Sequence, residues 1–310
     1  MMTTGAGRRL RLALAAIWLI DAALQYQPWM FTRAFSQMLG ESAQGNPPAI
    51  AGPVTWSAGI IAQHPAAANA TFATIQLLLA LGIAWHRSVK PALAVSIAWS
   101  LAVWWLGEGM GGVLTSTATP WNGAPGAVLI YALLAVLLWP ASQDTPASFT
   151  AARPLGRLPA RLIWLALWGS LAYFALRAAT TAPQGLHDMV GPMATAQPDP
   201  TASPGHGAGA LLAQHGQQAS AVLALACEII AVGVFLPAPA ARAAVIIAFA
   251  AAAAIWVIGQ NFGGILTGTA TDPNTGPLLA LLAAAYWPTR NTATATAQPV
   301  IAAGPAVTVP

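Results

Sequence analysis

Apolar residues run in long blocks that are hydrophobic on every side, with neither the alternation of a half-buried strand nor the one-sided stripe of a soluble helix. Eight blocks approach the roughly 20 residues that a bilayer core requires. They cover 10–27, 67–85, 91–107, 124–139, 158–176, 220–236, 240–258 and 276–287. The last is short and borrows from the Gly-Gly segment before it. The pattern predicts an all-α integral membrane protein with eight transmembrane helices. Pro, Gly, Thr and Asn concentrate between the blocks and mark the turns.

The basic residues orient these spans. Arg8, Arg9 and Arg11 precede the first, Arg87 and Lys90 separate the second from the third, and Arg153, Arg157 and Arg161 separate the fourth from the fifth. Arg242 lies between the sixth and seventh, and Arg290 follows the eighth. With eight spans all of these share one side, and only Arg33 and Arg177 fall on the other. The positive-inside rule then places both termini in the cytoplasm of a multi-pass protein of the cell membrane. The first block resembles a signal peptide in its basic flank, but Asp21 interrupts it and no cleavage pattern follows, so it reads as an uncleaved span.

One polar segment occurs twice. WWLGEGMGGVLTSTAT at 104–119 returns as WVIGQNFGGILTGTAT at 256–271, with about half the positions identical and no gap. Ala62-Gln63-His64 likewise matches Ala213-Gln214-His215, and Trp139-Pro140 matches Trp287-Pro288. The chain therefore divides into a first four-span repeat at 1–140, a cytoplasmic linker at 141–159, a second four-span repeat at 160–288 and a disordered tail at 289–310. Four spans return a chain to its starting side, so the halves form two parallel four-helix repeats related by an axis along the membrane normal. Long outer segments fill 28–65 and 177–215. The first holds a short amphipathic helix at 29–39 for the interface, and the second reads as irregular.

Composition agrees. The 310 residues are 57% hydrophobic and 6% charged, with a mean hydropathy of +0.63, against about 25% charge in soluble domains. The lipid bilayer is the first partner. A net charge of +4 spread over single residues argues against nucleic acid. The one cysteine, Cys227, excludes an internal disulfide and reads as a buried small hydrophobe. Trp104, Trp105, Trp139 and Trp287 read as interface anchors.

Polar groups at membrane depth are expensive and are candidates for function. Asp21, Gln76 and Glu228 fall near mid-span, and Glu108, Gln260 and Asn261 near the outer boundary. The repeat pairs Gln76 with Glu228 and Glu108 with Gln260, so each half keeps one Glu and one Gln in exchanged places. A shared pocket that needs a fixed number of carboxylates would drift in this way; simple Glu–Gln interchange is the plainer reading. Asp21 and Glu228 are candidates for a proton- or ligand-binding pair, against a structural hydrogen-bonding role. Gly111, Gly112, Gly263 and Gly264 allow close backbone approach and complete a predicted ligand site, against use in helix packing alone.

His64 and His215 form a symmetric outer pair that metal or haem would suit, although helix capping is the commoner role of such histidines and no strong metal pattern is present. His187, Met189, Met193 and His206 in the second outer segment add soft donors for copper.

The arrangement resembles the DoxX-like group of four-span membrane proteins, here doubled. The basic start of span one, the long outer segment after it, the His64-Pro65 pair before span two and the short inner turn at 87–90 carry the resemblance. It covers most of each half and implies a role near membrane redox or quinone chemistry. The His-Gly pair that such proteins carry in span one is replaced by Asp21 and Gln25. The motif WLGEGMGG also resembles uncharacterised membrane proteins of GC-rich Gram-positive bacteria.

The sequence thus predicts a small-molecule site between the two halves, used for binding or transport. The alternatives are a quinone- or metal-linked redox subunit and a non-catalytic assembly subunit. No nucleotide loop or nucleophile–base pattern points to a self-sufficient enzyme, and no cofactor is specified.

Overall fold

The computed structural model describes residues 3–141, 147–181 and 199–289, with backbone alone at 3–4, 181 and 199–214. The described residues are helical and contain no strand. The order is α1 (Thr3–Gln25), α2 (Arg33–Glu41), α3 (Pro48–Gln63), α4 (Pro65–Ala84), α5 (Val89–Leu106), α6 (Ala127–Leu137), α7 (Ala152–Leu155), α8 (Arg157–Thr181), α9 (Asp199–Gly233), α10 (Ala238–Ala254) and α11 (Thr275–Ala285). A π-helical turn, Ile255–Gly259, extends α10.

Five helical stretches are long and apolar enough to cross a membrane: Pro65–Ala84, Val89–Leu106, Arg157–Thr180, His215–Gly233 and Ala238–Gly259. They coincide with the second, third, fifth, sixth and seventh predicted spans. The other three predicted spans are helical as well, but differ in kind. α1 carries Arg8, Arg9, Arg11 and Asp21 along its length. α6 and α11 have 11 residues each, about 16 Å at 1.5 Å per residue. Irregular backbone uses up residues 124–126 at the start of the α6 block, whereas α11 spans nearly all of a block that is itself short. The long helices turn large apolar side chains outward, among them Leu78, Leu81, Val95, Leu101, Val222 and Ile246. In water such a surface would aggregate; in lipid it is solvated. Length, composition and outward face together are those of a helical membrane protein.

α1 packs along α4, and α8 packs along α9. The next helix joins each pair through a close approach of small residues, which lets backbones come together. A Cβ on Gly82 would stand 2.8 Å from that of Ala92, and one on Gly233 would overlap Ala244. α6 and α11 meet in the middle, and one continuous apolar core runs from Leu14 and Trp18 of α1 to Leu282 and Tyr286 at the end of α11. Cys227 is buried within it.

Four expectations are revised. The segment 28–65 holds two helices in place of one interfacial helix. Met30 and Phe35 are buried and cluster with Ile61 of α3, which draws α2 into a packed helical pair. Pro53 lies inside α3, yet Pro48 supplies a favourable first turn, and the helix forms across 16 residues. The second outer segment, expected to be irregular, is helical from Asp199 and breaks at His215, whose φ is −130°.

The linker is also more built than expected. Phe149, Ala151 and Ala152 are buried. The Ala151 N–H donates to the Ala285 carbonyl at 2.9 Å, and the Thr289 N–H donates to the Ser148 carbonyl at 2.8 Å. Trp104 is a structural donor and not a free anchor, because its Nε1 bonds the Pro125 carbonyl at 2.7 Å. Residues 142–146 of the linker and 290–310 of the tail lie outside the described residues.

Candidate functional site

The glycines of the repeated segment force a backbone that other residues rarely adopt. Met110 and Gly111 have φ of 59° and 63°, and Phe262 and Gly263 have φ of 57° and 69°. A side chain on Gly111 would run into the Pro125 carbonyl, and one on Gly263 into the Pro273 carbonyl. Trp256 Nε1 donates to the Pro273 carbonyl at 2.9 Å, as Trp104 does to that of Pro125. Thr115 and Thr267 close the turn by donating to Gly112 and Gly264 at 2.7 Å each. The repeated segment is thus a clasp that ties the end of one helix to the start of the next. Its left-handed stretch is the reason it needs glycine.

The clasps also interlock. The Trp121 backbone lies against Gly259, and Asn274 lies against Gly123. Gln27 Nε2 donates to the Ala270 carbonyl at 3.2 Å. Both clasps therefore stand at the same end of the molecule, opposite the Arg11, Arg87 and Arg161 end.

Beneath the first clasp lies a cavity of about 600 Å³. α1, α4, α5 and the head of α6 form its walls, and the α2–α3 pair forms its roof. Two serines fasten the roof: Ser42 Oγ donates to the Gly107 carbonyl and Ser57 Oγ to the Leu106 carbonyl, both at 2.6 Å. Trp18, Phe35, Trp56, Phe72 and Trp99 supply an aromatic lining, and Thr271, Asp272 and Asn274 of the second half close one end.

Three carboxyl groups face this space: Asp21, Glu108 and Asp272. Among the described residues no Lys, Arg or His lines it. Asp21 is 1% exposed. Its Oδ2 accepts from the Tyr131 hydroxyl at 2.5 Å, and its Oδ1 has no partner. Asp272 Oδ2 accepts from Thr271 Oγ1 at 2.8 Å, and its Oδ1 from the Asn274 N–H at 2.7 Å. Burial raises its pKa, and those two hydrogen bonds oppose the rise.

Glu108 is half-buried and accepts from the Val128 N–H at the head of α6, while its Oε2 has no partner. Burial, with the charge of Asp272 added, pushes its pKa up to about 8. At neutral pH Glu108 is therefore mostly protonated.

The predicted site residues divide. Asp21, Gln76, Glu108 and Gly111 line the cavity. Gly112 belongs to the first clasp behind it. Gln260, Asn261, Gly263 and Gly264 form the second clasp and are not part of the lining. Gln260 is buried and partnered at both ends of its amide: Oε1 accepts from the Gly276 N–H at 3.3 Å, and Nε2 donates to Thr275. Glu228 is exposed on the outer face of α9, so it makes no pair with Asp21. The inward face of that helix belongs to Leu223, Cys227, Ile230 and Val234.

The cavity therefore sits in the first half with one end supplied by the second, not symmetrically between them. His64 and His215 are both exposed helix breaks, and among the described residues no group of three His, Cys, Asp or Glu side chains could hold a metal. His187, Met189 and Met193 lie outside the described residues, as does the side chain of His206.

Three contributors were not legible. Asp272 lies in a loop beyond the spans, where a search of membrane depth does not look. Tyr131 sits in an apolar block with no other polar mark, and Gln25 stands out only as a departure from the DoxX-like pattern. Asp272 had one signal, as one of only 8 acidic residues in the chain. Comparison with protein-family models, curated proteins and solved structures gives no match for this chain.

Proposed function

We propose that this chain is a multi-pass cell-membrane protein of eight spans, arranged as two parallel four-helix repeats, and that it binds a small molecule in the cavity of its first half. The roofed cavity of about 600 Å³ carries this reading. Its size and mostly apolar lining with a few convergent polar groups are those of a small-molecule site. Three observations support the repeats: the matched clasps, the two Trp-to-Pro hydrogen bonds, and the helix breaks at His64 and His215. α6 and α11 count as spans because the irregular, partly buried backbone before each completes the crossing. Such backbone is tolerated at depth where protein covers it.

The clasp end faces outward, since the arginines gather at the other, so the ligand arrives from the outer side. Transport follows if the halves rock against each other; a fixed receptor or carrier follows if they do not.

The test is native mass spectrometry of the full chain released from mild detergent, alongside quenching of intrinsic fluorescence. Trp18, Trp56 and Trp99 line the cavity, so an occupant quenches emission. A retained small molecule, or saturable quenching by added solutes, supports the reading. Lipid adducts alone, with no saturable quenching across a chemically broad solute set, would sink it.

A further inference from the structure

The unmet hydrogen-bonding capacity of the cavity is mostly of one kind, with the indole Nε1 of Trp18 its one unpartnered donor among the described residues. Four buried oxygen atoms around it have no partner: Asp21 Oδ1, Gln25 Oε1, Gln76 Oε1 and Glu108 Oε2. Asp21, Gln25 and Gln76 are 1%, 3% and 8% exposed and all line the cavity. Buried acceptors without donors are costly, and natural sites keep them where a ligand completes them. A third carboxyl, Asp272, faces the same space, and among the described residues no basic side chain lines the cavity to answer any of them. The remaining wall is aromatic, and ring faces attract cations.

Resting on the reading of this cavity as a ligand site, we infer that its occupant is an organic cation: an amine or guanidine whose N–H groups reach the oxygens of Asp21, Gln76 and Glu108 and whose apolar body lies against Trp18, Phe72 and Trp99. A cation supplies the positive charge that lets a carboxyl group ionise in this low-dielectric space, which a neutral solute does not. An anion would meet three acidic groups and no positive charge. Unpartnered oxygens on α1 and α4 as well as on Glu108 favour a head group with several donors.

The experiment titrates the detergent-purified full chain at neutral pH with three probes of similar shape, phenethylamine, phenethyl alcohol and hydrocinnamate, reading tryptophan quenching and calorimetric heat. The amine should bind at least about tenfold more tightly than the alcohol, the range of one charge-assisted hydrogen bond, and hydrocinnamate should not bind. Glu108→Gln should weaken the amine by about tenfold relative to the alcohol, because only the carboxyl can ionise when the ammonium binds. This variant should fold, since Gln260 fills the equivalent place in the second half. Asp272→Asn provides the same reading where it does not.

Equal or tighter binding of the alcohol, or an amine affinity unmoved by both variants, overturns the cation inference and leaves the cavity as a ligand site. Failure of all three probes with protein that still unfolds cooperatively overturns both.

Discussion

Glu108 and Gln260 hold equivalent positions at the heads of α6 and α11, each accepting a backbone N–H three residues beyond the proline that its clasp tryptophan bonds. The difference lies in what remains. Gln260 has a partner at both its amide nitrogen and its amide oxygen, whereas Glu108 keeps Oε2 unpartnered beside the cavity. The same clasp is fully engaged within its own joint in one half and leaves an unpartnered carboxyl oxygen in the other. The Glu–Gln exchange between halves is thus not an even trade of carboxylates: at both exchanged pairs, the residue near the cavity is in the first half.

The protonation of Glu108 gives stability a direction with pH. Its pKa is raised from 4.5 to about 8 in the folded protein, so over that window the folded state holds a proton that the unfolded state has released. The stabilisation is complete below the lower value and is lost as pH rises through the upper one. Thermal unfolding in detergent between mildly acidic and mildly alkaline pH should show the midpoint falling with pH. Glu108→Gln cannot ionise and should make that slope shallower. A parent and variant with parallel pH curves would show that Glu108 does not titrate there.

Tyr131 and Asp21 should behave as one unit. Tyr131→Phe removes the one hydrogen bond that Asp21 makes and leaves a buried carboxyl with none. The cost is about 1–3 kcal/mol. Asp21→Asn keeps an acceptor for Tyr131 and should cost less. In a double-mutant cycle by denaturant unfolding, Tyr131→Phe combined with Asp21→Leu should be less destabilising than the sum of the singles. Strict additivity would mean that the pair is not coupled.

The clasp glycines should be intolerant of any side chain, unlike glycines on open helix faces. Gly111→Ala and Gly263→Ala each place a Cβ into a proline carbonyl at positive φ. Each should lower stability by about 2 kcal/mol or more, from the left-handed penalty and steric overlap together. A Cβ at Gly59 or Gly169 meets nothing within 4 Å. Alanine there should be neutral or stabilising by up to about 1 kcal/mol, because glycine weakens a helix interior. Detergent-solubilised yield and melting temperature of the four variants make the comparison. Similar losses at all four sites would deny the clasp its special backbone.

The sequence carried the helices better than the cavity, for a physical reason. Span location depends on runs of apolar residues, which survive without tertiary knowledge, and all eight blocks became helix. α3 escaped because its apolar stretch, broken by Gly52, Pro53 and Ser57, falls short of a membrane span, and only packing on α2 and α5 makes it a roof. Asp21, Gln76 and Glu108 were legible because polarity at depth is rare. Glu228 satisfied the same criterion and faces outward, since depth says nothing about which way a helix is turned. Asp272 needed the fold, which swings the loop before α11 over the first half.

Whether the halves are parallel or inverted is open to one chemical test. Leu114 and Leu266 are corresponding residues of the two clasps, 53% and 57% exposed, and the only native cysteine, Cys227, is buried. Parallel repeats put both leucines on the outer face. Inverted repeats would put them on opposite faces, which the contact of Asn274 with Gly123 opposes. Leu114→Cys and Leu266→Cys, expressed singly in intact cells, should therefore both react with a membrane-impermeant maleimide added outside, and the parent chain should not. Positive charge gathered at the other end predicts outside reaction and not merely a shared side. Reaction of both only after the membrane is opened would reverse the orientation while keeping the repeats parallel. Reaction of one from each side would end the parallel arrangement, and the shared cavity wall built from Asp272 with it.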